Sequence, residues 1–169
     1  MATIDVIRLL LFPALMAFAA ASDLLTMTIS NRITALLFVG FIALALATGM
    51  DINEAVSHAG AAFAVLTVTF IFFARGWIGG GDAKLAAVTA LWFGFDHLLD
   101  YALYASLFGG VLTLAIVRFR LHPLPGMLAR QGWLQRLHQI NGGVPYGIAL
   151  AAAALLIYPH TPWMKALGM

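Results

Sequence analysis

Apolar residues gather into six runs along the chain, at about Ile4–Ala21, Ile33–Met50, Val56–Ala74, Ala83–Phe95, Tyr101–Val117 and Val144–Tyr158. Each is closed by charges, Gly, Pro or Asn. None of the runs alternates polar and apolar positions as a membrane-barrel strand does, and unpaired backbone in hydrocarbon is costly, so the pattern predicts helices throughout. The expected fold is all-α, a polytopic membrane protein with six transmembrane helices in a single domain over residues 1–169. The fourth and sixth runs fall short of the roughly 20 residues that cross a bilayer. The fourth either extends backward into Trp77 and Ile78, or the glycine-rich stretch before it dips into the protein as a partly buried loop. Between the fifth and sixth runs, residues 118–143 read as a loop. Its amphipathic section, around Trp133–Ile140, is expected to lie on the membrane surface.

Composition agrees with this pattern. Of the 169 residues, 63% are hydrophobic and 9% charged, against about 25% charged in an ordinary soluble domain. Such a chain cannot cover itself with polar surface, so its solvent is lipid. Ala17-Phe18-Ala19-Ala20-Ala21 resembles a signal-peptidase site. The segment before it, however, carries Asp5 beside Arg8 instead of a clean basic region, and the first run is read as a mature helix. The net charge of +2 is not gathered into a basic face with interleaved aromatics, which argues against nucleic acid as a partner. The absence of cysteine removes disulfides, thiol catalysis and cysteine-based zinc sites.

Charge also orients the chain. The loops after helices one, three and five hold Arg32, then Arg75 and Lys84, then Arg118, Arg120, Arg130 and Arg136, and the positive-inside rule assigns them to the cytoplasm. The loops after helices two and four carry Asp51, Glu54, Asp96 and Asp100 without Lys or Arg, so they and both termini should face the other side. Asp5 shares that outer side, which leaves two of the seven carboxylates, Asp23 and Asp82, at the cytoplasmic edge. Asp23 is expected directly after an apolar helix. Asp82 follows Gly79-Gly80-Gly81, where missing side chains let backbone or substrate approach closely. Two carboxyl groups held near each other share a proton, so that one acts as base on a bound water and the other as acid toward a carbonyl. That chemistry needs no cofactor. The chain has no Gly-x-Ser-x-Gly and no His-Glu-x-x-His motif.

Gly79-Gly-Gly81-Asp82-Ala-Lys84-Leu resembles the Gly-x-Gly-Asp-x-Lys-Leu motif of type IV prepilin peptidases, and Asp23 followed by Ile29-Ser30-Asn31 resembles their Asp and Ile-Pro-Asn motif. Val144-Pro145-Tyr146-Gly147 is similar to the family's Pro-aromatic-Gly opening of the last helix. The resemblance implies a membrane aspartyl endopeptidase in the bacterial inner membrane, with Asp23 and Asp82 catalytic. It would remove a short basic leader from a prepilin after a glycine. Ser30 stands where the family usually has proline. Lacking cysteine and the cytoplasmic insert of larger members, the chain resembles the small, cleavage-only members associated with Flp-type pili, which do not methylate the new amino terminus. Two other readings are a presenilin-like intramembrane protease and a small proton-coupled carrier, although carriers place such groups near the bilayer midplane and often show repeated halves.

Supporting roles are open in the sequence. Gly79 and Gly81 allow close approach. Lys84 holds an ionised carboxylate, faces lipid phosphates, or anchors topology. Asn31 orients Asp23 through its amide or caps the second helix. His58, His97, His122, His138 and His160 lack ligand spacing, so no metal is expected. Gly109-Gly110 and Ala149–Ala154 read as helix-packing surfaces, and the Trp and Tyr near segment ends as interfacial anchors.

Overall fold

A computed structural model describes residues 2–125, 130–140 and 142–165, so residues 126–129 and 141 of the long loop lie outside the described residues. The elements in chain order are α1 (Ala2–Thr26), α2 (Asn31–Thr48), α3 (Ile52–Ala74), α4 (Gly80–Phe93), α5 (Leu98–Arg120), α6 (Gly132–His138) and α7 (Tyr146–Ile157). A 3-10 turn (Tyr158–His160) and α8 (Pro162–Lys165) come last. The protein is all-α and polytopic. Helices α1, α2, α3 and α5 are long and apolar enough to cross a membrane.

Helices α4 and α7 differ from these in length and in surroundings. With 14 and 12 residues they reach only about 21 and 18 Å, less than a bilayer core of about 30 Å. They are also the best-buried helices, α4 being enclosed almost continuously from Leu85 to Phe93. A helix apolar on all sides belongs inside protein. The alanines of α7 (Ala149, Ala151, Ala153 and Ala154) let its neighbours approach closely. The long helices wrap this inner pair: α3 packs on α4, α1 and α5 pack on α7, and α2 bridges α1 and α4.

The far end of the bundle, where α4 finishes, holds a cluster of aromatic rings. Phe12 stacks on Tyr158 with centroids 4.6 Å apart, and Trp92 lies 5.0 Å from Phe12 and 5.3 Å from Trp163. These rings are not interfacial anchors, because the ends of the short helices stop inside the bundle. Their polar atoms find buried carbonyls instead. Trp92 Nε1 donates to Leu37 O at 3.0 Å, Trp163 Nε1 to Trp92 O at 2.8 Å, and Tyr158 Oη to Arg8 O at 2.6 Å. His58 works in the same way. It is buried in α3 and donates from Nδ1 to Leu91 O at 2.7 Å, tying α3 to α4.

Helix α5 runs to Arg120, past the point where the polar loop was expected to begin. Its last turn carries Arg118 and Arg120, whose charges suit the negative end of a helix. Arg120 also secures the polar segment beyond the helix, Nε donating to Leu137 O at 2.8 Å and Nη2 to Gly143 O at 2.7 Å.

Candidate active site

Asp23 lies in the last turn of α1 and not beyond it, because the helix continues past Ala21 to Thr26. Met27 ends it by turning left-handed at φ 56°, its N–H still donating to Asp23 O at 2.8 Å. That conformation costs a residue with a side chain about 1–2 kcal/mol. Hydroxyl bonds fold the chain back here, from Ser22 to Thr28 O at 2.9 Å and from Thr26 to Ser22 O at 2.7 Å.

The Asp23 side chain is 5% exposed and reaches across to α7, where Gly147 N–H donates to its Oδ2 at 2.7 Å. Gly147 is in the first turn of α7, where backbone N–H groups have no partner within the helix. A Cβ at this position would lie 2.8 Å from the same carboxylate oxygen and 2.8 Å from Ile29 Cδ1, so the close approach requires glycine. Tyr146 fixes the start of α7 on α5. Its ring covers Gly109, and its hydroxyl donates to Thr113 Oγ1 at 3.2 Å, since the proton of Thr113 is committed to Gly109 O at 2.7 Å. Gly109 is thus a packing surface, whereas Gly110 meets nothing within 4 Å.

Asp82 occupies the first turn of α4 and repeats the arrangement. Its Oδ2 accepts from Gly79 N–H at 3.3 Å, and a Cβ on Gly79 would lie 2.9 Å from that oxygen. Its Oδ1 is buried and has no hydrogen-bond partner among the described residues. A Cβ on Gly81 would meet Ile29 Cβ at 3.1 Å. Ile29, in the turn between α1 and α2, is therefore wedged between Gly81, next to Asp82, and Gly147, which binds Asp23. Asp82 and Asp23 thus each lie beside a glycine that Ile29 touches.

Lys84 and Asn31 meet each other rather than either aspartate. Lys84 Nζ donates to Asn31 Oδ1 at 3.0 Å on the exposed surface, linking the first turn of α4 to the first turn of α2. Asn31 does not cap α2. Ser30 does, its hydroxyl accepting from Arg32 N–H at 3.3 Å. The φ of Ser30 is −65°, the angle at which a proline ring would be locked. Serine therefore keeps the backbone course that proline would impose and adds a side-chain cap.

Arg136 of α6 donates from Nη2 to Leu25 O, two residues beyond Asp23. With Arg120 holding Leu137, this lays α6 across the ends of α1 and α5. The contacts that Gly147, Ile29 and Arg136 make at the site are not visible in the sequence pattern. The Pro145-Tyr146-Gly147 opening was the available signal for Gly147, since a helix start presents free amides. No group of three or more His, Asp or Glu suited to a metal ion occurs among the described residues.

Fold and site together define an integral membrane protein, all-helical, with two carboxyl groups gathered where its short inner helices begin. The chain belongs to the type IV leader peptidase family, whose family model matches residues 10–114. It is accordingly an aspartic-type endopeptidase of the prepilin peptidase kind. The matched span contains both aspartates and ends within α5, before α7. No curated protein and no solved structure matches.

Proposed function

We propose that Asp23 and Asp82 are the catalytic pair, and that the protein removes the short basic leader from Flp-like prepilins at the cytoplasmic face of the bacterial inner membrane, leaving the new amino terminus unmethylated. The observation that carries this reading is the paired cradle. Each carboxylate accepts one N–H at the start of a short inner helix, and Ile29 joins the two cradles. One carboxylate removes a proton from water as the oxygen attacks the scissile carbonyl carbon, and the other, protonated, gives its proton to the carbonyl oxygen. Collapse of the tetrahedral intermediate breaks the C–N bond, and a carboxyl proton passes to the leaving amine. The buried Oδ1 of Asp82 has no hydrogen-bond partner among the described residues, which leaves that side of the carboxyl group uncommitted to the protein.

The test is cleavage of a tagged prepilin by purified protein. Asp23→Asn and Asp82→Asn should each abolish turnover at normal membrane levels, with the double variant no worse than either. Asp51→Asn, Asp96→Asn and Asp100→Asn should remain active. Product mass reads methylation directly. Substantial cleavage by Asp82→Asn, or an equally damaging outer control, would end the proposal.

A further inference from the structure

Helices α3 and α5 pack on different partners, α3 on α4 and α5 on α7. Between them lies a cleft of about 530 Å³. Its walls are apolar, with Val68 and Phe72 of α3 on one side and Ala102 and Ala105 of α5 on the other. The starts of the inner helices, Asp82 and Tyr146, close it. Tyr146 is the residue that seats the Asp23-binding amide of Gly147.

We infer that this cleft is where the apolar helix following the scissile bond docks, entering from the bilayer between α3 and α5, an inference that rests on the peptidase reading above. Three observations select that occupant. The cleft is continuous with one of the two carboxyl groups, so a helix lying in it presents its end to Asp82. Beyond Leu98, Leu99 and Tyr101, its α5 wall continues in small residues (Ala102, Ala105 and Ser106) that let another helix approach closely at membrane depth. Its inner wall includes Asp82, whose buried Oδ1 has no hydrogen-bond partner among the described residues and so has room for a donor brought by an occupant. A second apolar groove of about 550 Å³, between α2, α3 and α4, includes Lys84 and Asn31 but neither aspartate. It serves as the internal control.

Ala64 and Ala102 line the cleft and Ala35 the control groove, and all three are exposed, so bulk can be added without overpacking a core. Ala102→Trp and Ala64→Trp should raise KM for a full-length prepilin at least tenfold. Neither should change cleavage of a peptide that stops a few residues after the scissile bond, and Ala35→Trp should behave as wild type on both. Because the chain has no cysteine, Ala102→Cys and Phe38→Cys supply a second measurement that does not depend on the tryptophan variants folding. Oxidation against a single cysteine in the apolar helix of the prepilin should cross-link the first and not the second. Wild-type turnover is measured beforehand. Its absence would overturn the peptidase reading and this inference together. Normal KM in Ala102→Trp, or cross-linking at Phe38→Cys alone, would overturn the docking site only and leave the cleft to membrane lipid.

Discussion

Replacing Gly147 by alanine adds a single methyl group at the point where Asp23 is held. The new Cβ would sit 2.8 Å from Asp23 Oδ2, 2.8 Å from Ile29 Cδ1 and 3.0 Å from Asp23 Cβ. Ordinary contact begins at 3.4 Å, so the shortfall is about 0.6 Å against each of the two nearest atoms, and the side chains of Asp23 and Ile29 must give way. Overpacking of this size costs about 1–3 kcal/mol, while alanine in a helix returns about 1 kcal/mol relative to glycine. The variant should therefore insert and fold. A misplacement near 1 Å can lower a rate by about 100-fold, so a shift of this order should reduce kcat/KM by roughly 10- to 100-fold. The assay is steady-state cleavage of a purified prepilin in detergent or vesicles, with membrane level and thermal midpoint recorded beside it. Gly143→Ala, where a Cβ meets nothing within 4 Å, is the matched control and should be unaffected. If Gly147→Ala kept half or more of wild-type activity, the amide of α7 would not be what orients Asp23.

Lys84→Met and Asn31→Ala should each lower activity a few-fold. The pair should couple by about 1 kcal/mol in a double-mutant cycle, since one exposed hydrogen bond joins them. Additive effects would refute the link. Reporter fusions after Arg32, Lys84 and Arg130 should report cytoplasm, and those after Glu54 and Asp96 the outer side; an outside signal at Arg130 would mean that α4 and its flanks do not cross. Chelators should leave cleavage unchanged, and loss of activity restored by zinc would replace the dyad mechanism with a metal-assisted one.

The all-helical membrane class was legible because it follows from apolar run length and backbone hydrogen-bond demand, both local properties. The two aspartates stood out for a similar reason, carboxylates being few and the surrounding motifs contiguous. What the sequence hid was long-range or sub-helical in scale. Asp23 was expected after its helix because the turn at Ser22–Thr28 is held by hydroxyl groups, whereas the apolar run stops at Ala21. Asn31 offered two roles from its own neighbourhood, and its partner Lys84 lies on another helix. Trp92 and Trp163 near segment ends suggested the membrane interface. They are core residues because short helices end inside the bundle, a fact visible only once the long helices are seen around them.

The bond between Gly147 and Asp23 spans 124 positions of chain, which gives the site a history as well as a geometry. At synthesis rates of about 5–20 residues per second, roughly 6–25 s separate the two residues as the protein is made. During that interval α1 to α5 can enter the bilayer with both aspartates and Ile29 present, yet the oxygen of Asp23 has no amide to hold it. On the proposed reading of Asp23 as catalytic, full activity is expected only once the last inner helix is in place, and a chain truncated before α7 should cleave prepilin poorly.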